Sequence, residues 1–137
     1  MGPLRKPSRQ LTRLELQIMK VLWETGPATV QQVQSKLSGE PLAYTTVQTV
    51  LNILHRKGRV QRTLRGKAYH YRAILSREKA VSQSIGDLVD RLFGGSVEDL
   101  LMSLVKSRQL DPGKLAKLNQ WIEKHLEQER EEENGRN

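Results

Sequence analysis

The chain has 137 residues, enough for one modest domain or two small ones whose cores would gain from a partner. It contains no cysteine, which excludes disulfides and thiolate metal sites, and no run approaches the roughly 18 apolar residues of a membrane span. The net charge of +8 is unevenly placed: residues 1–75 carry thirteen Lys/Arg against three Asp/Glu, whereas residues 76–137 carry ten against twelve. A basic half beside a nearly neutral one suits a nucleic-acid-binding head joined to an assembly module; a basic protein with no polyanionic partner has the same composition, so the order of elements must decide.

Residues 1–11 form a basic tail without an apolar signal core, which makes the cytoplasm the expected compartment. Thr12 and Glu15 have capping-box spacing, with Leu11 and Leu16 placed for a hydrophobic staple. The first helix then carries a stripe of Leu14, Ile18, Val21 and Leu22 and closes at Gly26-Pro27. Thr29 and Gln32 repeat the capping signal for a shorter helix with Val30, Val33 and Leu37 on its apolar side, ended by Ser38-Gly39-Glu40-Pro41.

A third helix begins at Tyr44 or Thr45 and ends at Lys57, with Val47, Val50, Leu51 and Leu54 on one side. At about 100° per residue, Thr45, Thr49, Asn52 and Arg56 point away from that stripe, with Thr46 and Gln48 on its shoulders. This face has no carboxylate and no large apolar side chain. It suits either plain solvation or contact with a duplex, where amides and hydroxyls meet base edges and phosphates.

The next element in the chain favours the duplex: a hairpin of residues 60–64 and 68–73 around a turn at Arg65-Gly66-Lys67. Arg59, Arg62 and Arg72 flank its tip, and Tyr69 and Tyr71 share one strand face, for packing on the helices or for stacking on bases. Three helices and a basic hairpin make a winged helix-turn-helix over residues 12–75, its third helix placed for the major groove. By position, Thr45, Thr46, Gln48 and Thr49 are the candidates for base readout, and Asn52, Arg56, Arg65 and Lys67 for the DNA backbone.

Residues 76–127 read as a helical dimerisation domain. Ser76 caps a helix in which Val81, Ile85, Leu88 and Leu92 have coiled-coil spacing, and Gly94-Gly95 stops it. Ser96 with Asp99 opens a second helix carrying Leu100, Leu101 and Leu104; Asp111-Pro112 opens a third with Leu115, Leu118 and Ile122. These stripes either pair with a second copy or close into a bundle within one chain. Residues 128–137 are expected to form an acidic tail, frayed or disordered.

The segments LTRLELQIMKVLW, AYTTVQTVLNILHRKG, RGKAYHYRA and DRLFGGSVEDLLMSLVKSRQLDPGKLAKL, in this order, resemble the penicillinase-repressor family of winged-helix regulators, the BlaI/MecI type, over nearly the whole chain. The resemblance implies a mainly α fold with a small antiparallel β-wing, and a homodimer that represses antibiotic-resistance or stress genes from an inverted-repeat operator. It also implies relief by a sensor-linked protease. The family's Asn-Phe cleavage site lines up with Ser103-Leu104 here, and the cysteine motif of copper-sensing relatives is missing.

No cofactor or metal is expected, because His55, His70 and His125 lie far apart in sequence, and no phosphate loop or nucleophile motif points to an enzyme. The alternative reading is a winged helix that binds RNA or protein without operator specificity.

Overall fold

The computed structural model describes residues 10–135. Eight elements succeed one another: α1 (Arg13–Thr25), α2 (Val30–Lys36), α3 (Tyr44–Arg56), β1 (Val60–Arg65), β2 (Ala68–Ala73), α4 (Arg77–Leu92), α5 (Val97–Lys106) and α6 (Pro112–Gly135). The chain is mainly α-helical with one small antiparallel sheet, the fold class implied by the sequence. Two compact units part between Asp87 and Leu88, inside α4. The first unit thus continues beyond residue 75, and Leu75 and Ala80 belong to its core.

In that first unit both early helices start with reciprocal caps. The Glu15 N–H donates to the Thr12 hydroxyl at 3.2 Å while the Thr12 N–H donates to the Glu15 carboxylate at 2.8 Å. Gln32 and Thr29 repeat the exchange at 3.2 and 2.9 Å, so each helix satisfies two otherwise orphaned donors at its entry. Gly26, at φ 79°, ends α1 with its N–H on the Leu22 carbonyl.

The apolar sides of α1, α2 and α3 then meet: Ile18, Met19, Val33, Val47, Leu51 and Leu54 are fully buried. Each such side chain contributes about 1.5–3 kcal/mol relative to exposure, which outweighs the small propensity differences among these short helices. Of the expected α1 stripe, Ile18, Val21 and Leu22 are buried and Leu14 is not. Leu14 is exposed, and Glu15 and Met19 are buried in its place. Leu11, expected in the basic tail, packs against the core; residues 1–9 of that tail lie outside the described residues.

The hairpin pairs from Val60↔Ala73 to Arg65↔Ala68. Its turn is therefore the two residues Gly66-Lys67, with Arg65 still on the strand; Gly66 at φ 64° takes the left-handed conformation that tight hairpins place on glycine. Ala28 exchanges both backbone hydrogen bonds with Tyr71, at 3.0 and 2.8 Å, which stitches the segment between α1 and α2 to β2. The Trp23 indole N–H donates to the Leu75 carbonyl at 2.9 Å and holds the chain leaving the hairpin against α1. Of the two tyrosines on one strand face, only Tyr71 is buried; Tyr69 is 43% exposed and does not pack on the helices.

In the second unit, the Ser96 hydroxyl accepts from the Asp99 N–H at 3.1 Å and the Asp111 carboxylate from the Lys114 N–H at 2.8 Å. α6 does not fray after Leu126. Its acidic run is rich in good helix formers and continues as helix to Gly135, with residues 136 and 137 outside the described residues. No residue of α5 or α6 is buried, so these helices do not close into a bundle within one chain.

Glu15 is the one buried charged residue among the described residues, at 3% exposure. Lys57 comes directly after α3, and its Nζ lies 3.0 Å from the Glu15 carboxylate, tying the start of α1 to the end of α3. Burial by itself raises the Glu15 pKa, but the Thr12 N–H, the Lys57 ammonium and the Thr12 hydroxyl outweigh it and hold the carboxyl below its ordinary value. A carboxyl depressed in the native state adds stability that is complete above its unfolded pKa and is lost as pH falls through the native one. Chemical denaturation at several pH values should show wild-type stability declining below the ordinary glutamate range, and Glu15→Gln should flatten that decline. Lys57→Ala at neutral pH should cost about 1–2 kcal/mol, a figure discounted because the lysine is partly exposed.

Candidate nucleic-acid interface

Burial of Val47, Leu51 and Leu54 fixes the rotation of α3 and leaves Thr45, Gln48, Thr49, Asn52 and Arg56 exposed, with Thr46 half-buried. The Thr49 hydroxyl donates to the Thr45 carbonyl at 2.8 Å, so its proton is used within the helix while its methyl and oxygen lone pairs stay available. Asn52 Oδ1 accepts from the Tyr71 hydroxyl at 3.4 Å, a contact between the polar face of α3 and the hairpin. Unlike α1 and α2, α3 has no side-chain cap: Ala43 stands at its entry and its first turn has no acid. The partial positive charge of that terminus is left for an anion from outside.

Charge supports the same surface. Between Glu40 and Glu78 the sequence has no carboxylate and eight Lys/Arg: Arg56, Lys57, Arg59, Arg62, Arg65, Lys67, Arg72 and Arg77. Lys57 is turned inward to Glu15, and the Arg72 guanidinium donates to the Gln61 side chain on one face of the hairpin. Arg65 and Lys67 are exposed at the tip. On the other face, the Arg62 guanidinium lies 4.5 Å from the centre of the Tyr69 ring, an arrangement that periodicity alone gives no means of finding.

The residues expected to pair two copies lie at the surface of a single chain. Val81, Ile85, Leu88, Leu92, Leu101, Leu115, Leu118 and Ile122 are 38–71% exposed, and Leu100 and Leu104 are half-buried. Val97 and Val105, which the same spacing places on the second of these helices, are exposed as well; sequence reasoning missed Met102 and Trp121, also exposed, and Trp121 stacks on His125. Among the described residues no group of three His, Asp or Glu is arranged to hold a metal, and no helix is long and apolar enough to cross a membrane.

The sequence profile described as "Penicillinase repressor" matches residues 11–124. The chain belongs to the penicillinase repressor family. It is 23% identical over 123 residues to the penicillinase repressor of Bacillus licheniformis, covering 89% of this chain and 96% of that one. It is 41% identical over 88 residues to the transcriptional regulator BlaI of Mycobacterium tuberculosis, covering 61% and 62%. A structure similar in part is that of the transcriptional regulator Tm0710 from Thermotoga maritima, at TM-score 0.49 and 18% identity over 88% of this chain and 78% of that one. The protein is a DNA-binding transcriptional regulator and not an enzyme.

If the outer face of α3 is free of structural duty, Thr45→Ala, Gln48→Ala and Thr49→Ala should each leave unfolding free energy within about 0.5 kcal/mol of wild type. Leu51→Ala, on the opposite face, should cost about 2–5 kcal/mol. Denaturation monitored by circular dichroism compares them directly.

Proposed function

We propose that this protein is a sequence-specific repressor that binds an inverted-repeat operator as a homodimer, α3 in the major groove and the β1–β2 tip against the backbone. The observation that carries the reading is the carboxylate-free outer face of α3, uncapped at its N-terminus and continuous with a basic hairpin, in a chain of a repressor family. Thr45, Thr46, Gln48 and Thr49, near the helix entry, read bases; Asn52, Arg56, Arg65 and Lys67 hold phosphates.

Pairing of two copies through α4, α5 and α6 would cover the apolar side chains that one chain leaves in water, Leu92 at 71% and Trp121 at 61% exposure being the extremes. Relief comes from proteolysis between Ser103 and Leu104. That bond lies in the closing turns of α5, where the Ser103 carbonyl accepts from the Ser107 N–H at 2.9 Å and the Leu104 carbonyl from the Gln109 N–H at 3.0 Å. A sensor-linked protease therefore needs local unwinding before it cuts. Cleavage would separate the two heads and remove a bivalent advantage of roughly 10² to 10⁴ without altering the reading face.

Anisotropy titrations on duplex DNA test the reading. With six to ten phosphates neutralised per dimer, affinity should fall by about 10³ to 10⁵ between roughly 50 and 200 mM salt. Gln48→Ala should change preference among operator variants, whereas Lys67→Ala should weaken all sequences alike and lower the salt slope by about one. Salt-independent binding, or tighter binding to single-stranded RNA than to duplex, would refute it.

A further inference from the structure

The face of the hairpin that carries Arg62 also carries its cross-strand neighbour Tyr71, and Tyr71 reaches the polar side of α3 through Asn52. Farther out on that face, Leu64 and Tyr69 are directly opposite each other, 59% and 43% exposed. The Arg62 guanidinium lies over the Tyr69 ring, 4.5 Å from its centre, and is exposed. Stacking occupies the flat face of a guanidinium and leaves its N–H donors, which lie in the plane, free along the edges. A cation at the end of a flexible stem loses rotamer freedom when it binds; one already stacked on a ring loses less. A lone arginine would have no need of an exposed aromatic beneath it, and an exposed tyrosine opposite an exposed leucine buries too little to serve the core.

We propose that Arg62, held by Tyr69, is a further DNA-contacting residue, a phosphate clamp on the side of the hairpin that faces the α3 surface, with Tyr69 as its positioning residue. This rests on the proposed duplex binding and adds a contact distinct from the tip residues Arg65 and Lys67. Arg72 serves as the internal control, because it stands on the opposite face of the same hairpin, bonded to Gln61.

The test uses the full chain and a duplex that wild type binds, with affinity measured across salt for Arg62→Ala, Arg72→Ala, Lys67→Ala, Tyr69→Ala, Tyr69→Phe and the double variant Arg62→Ala/Tyr69→Ala. Arg62→Ala should lower the salt slope by about one, as Lys67→Ala does, while Arg72→Ala leaves it nearly unchanged. Tyr69→Ala should weaken binding about two- to fivefold, and Tyr69→Phe, which keeps the ring, should bind as wild type. Removing Tyr69 from a chain that already lacks Arg62 should cost nothing further, a coupling that a merely structural tyrosine would not show. Wild-type slope in Arg62→Ala beside a reduced slope in Lys67→Ala would overturn the Arg62 assignment alone. Equal losses from Tyr69→Ala with and without Arg62 would overturn the positioning role, and absence of duplex binding by wild type would overturn both readings together.

Discussion

The rotation of α3 about its own axis is the constraint on which the rest depends. Val47, Leu51 and Leu54 are driven into the space between α1 and α2, and once they are there the outward positions are no longer free to vary. A turn of the helix by a third of a revolution would expose leucines and bury Thr49 or Asn52 without enough partners, at about 1–3 kcal/mol for each unsatisfied polar group and each exposed leucine. The Glu15–Lys57 contact secures the same placement from the end of the helix, since Lys57 reaches back across 42 residues to the α1 entry. Specificity of packing here comes before specificity of recognition.

Much of this arrangement is legible in the sequence because it is local. Capping boxes, glycine stops and the hairpin depend on residues three to thirteen apart, and those elements appear where their signals stand. The misreadings come from contacts between residues distant in the chain. Leu14 belongs on the apolar stripe by periodicity, but the core takes Met19 and the stem of Glu15, and Glu15 tolerates burial only because a lysine 42 residues away and two capping groups satisfy its carboxylate. Ala28 gives no strand signal, since a single bridging residue has no period to detect; its pairing with Tyr71 depends on β2 being present. Alternation assigned Tyr69 and Tyr71 to one face correctly but could not say where along that face the core stops. The exposed α3 face and the hairpin cations were legible, whereas the cross-strand stacking of Arg62 on Tyr69 was not, because the two are offset diagonally in the register.

The helices after Leu88 obey a different logic. Their stripes were readable from spacing, but spacing does not say what covers them, and one chain covers little: Val89 is buried and Leu100 and Leu104 are half-buried, while α5 and α6 contain no buried residue. An isolated helix as short as α5 is marginal in water, and helices in proteins draw most of their stability from burying an apolar face. Under the proposed pairing, the stability of the second unit is tied to concentration, and a chain cut within α5 would lose its pairing surface and its own helical order together.

In the first unit, the hairpin shares one face with two tasks. Its root, Val60, Tyr71 and Ala73, packs on the helices, and its outer part, Arg62, Leu64 and Tyr69, extends past them along the same side. Because β-strand side chains alternate strictly, the face that packs must be the face that continues, so a hairpin longer than the core it covers carries every second overhanging residue on the side that packs. The Tyr71 hydroxyl on Asn52 then links the hairpin to the polar face of α3, which makes one continuous surface of the two. Strand length thus decides how far this basic surface reaches beyond the helix, and six residues per strand place Arg62 and Tyr69 just outside the core.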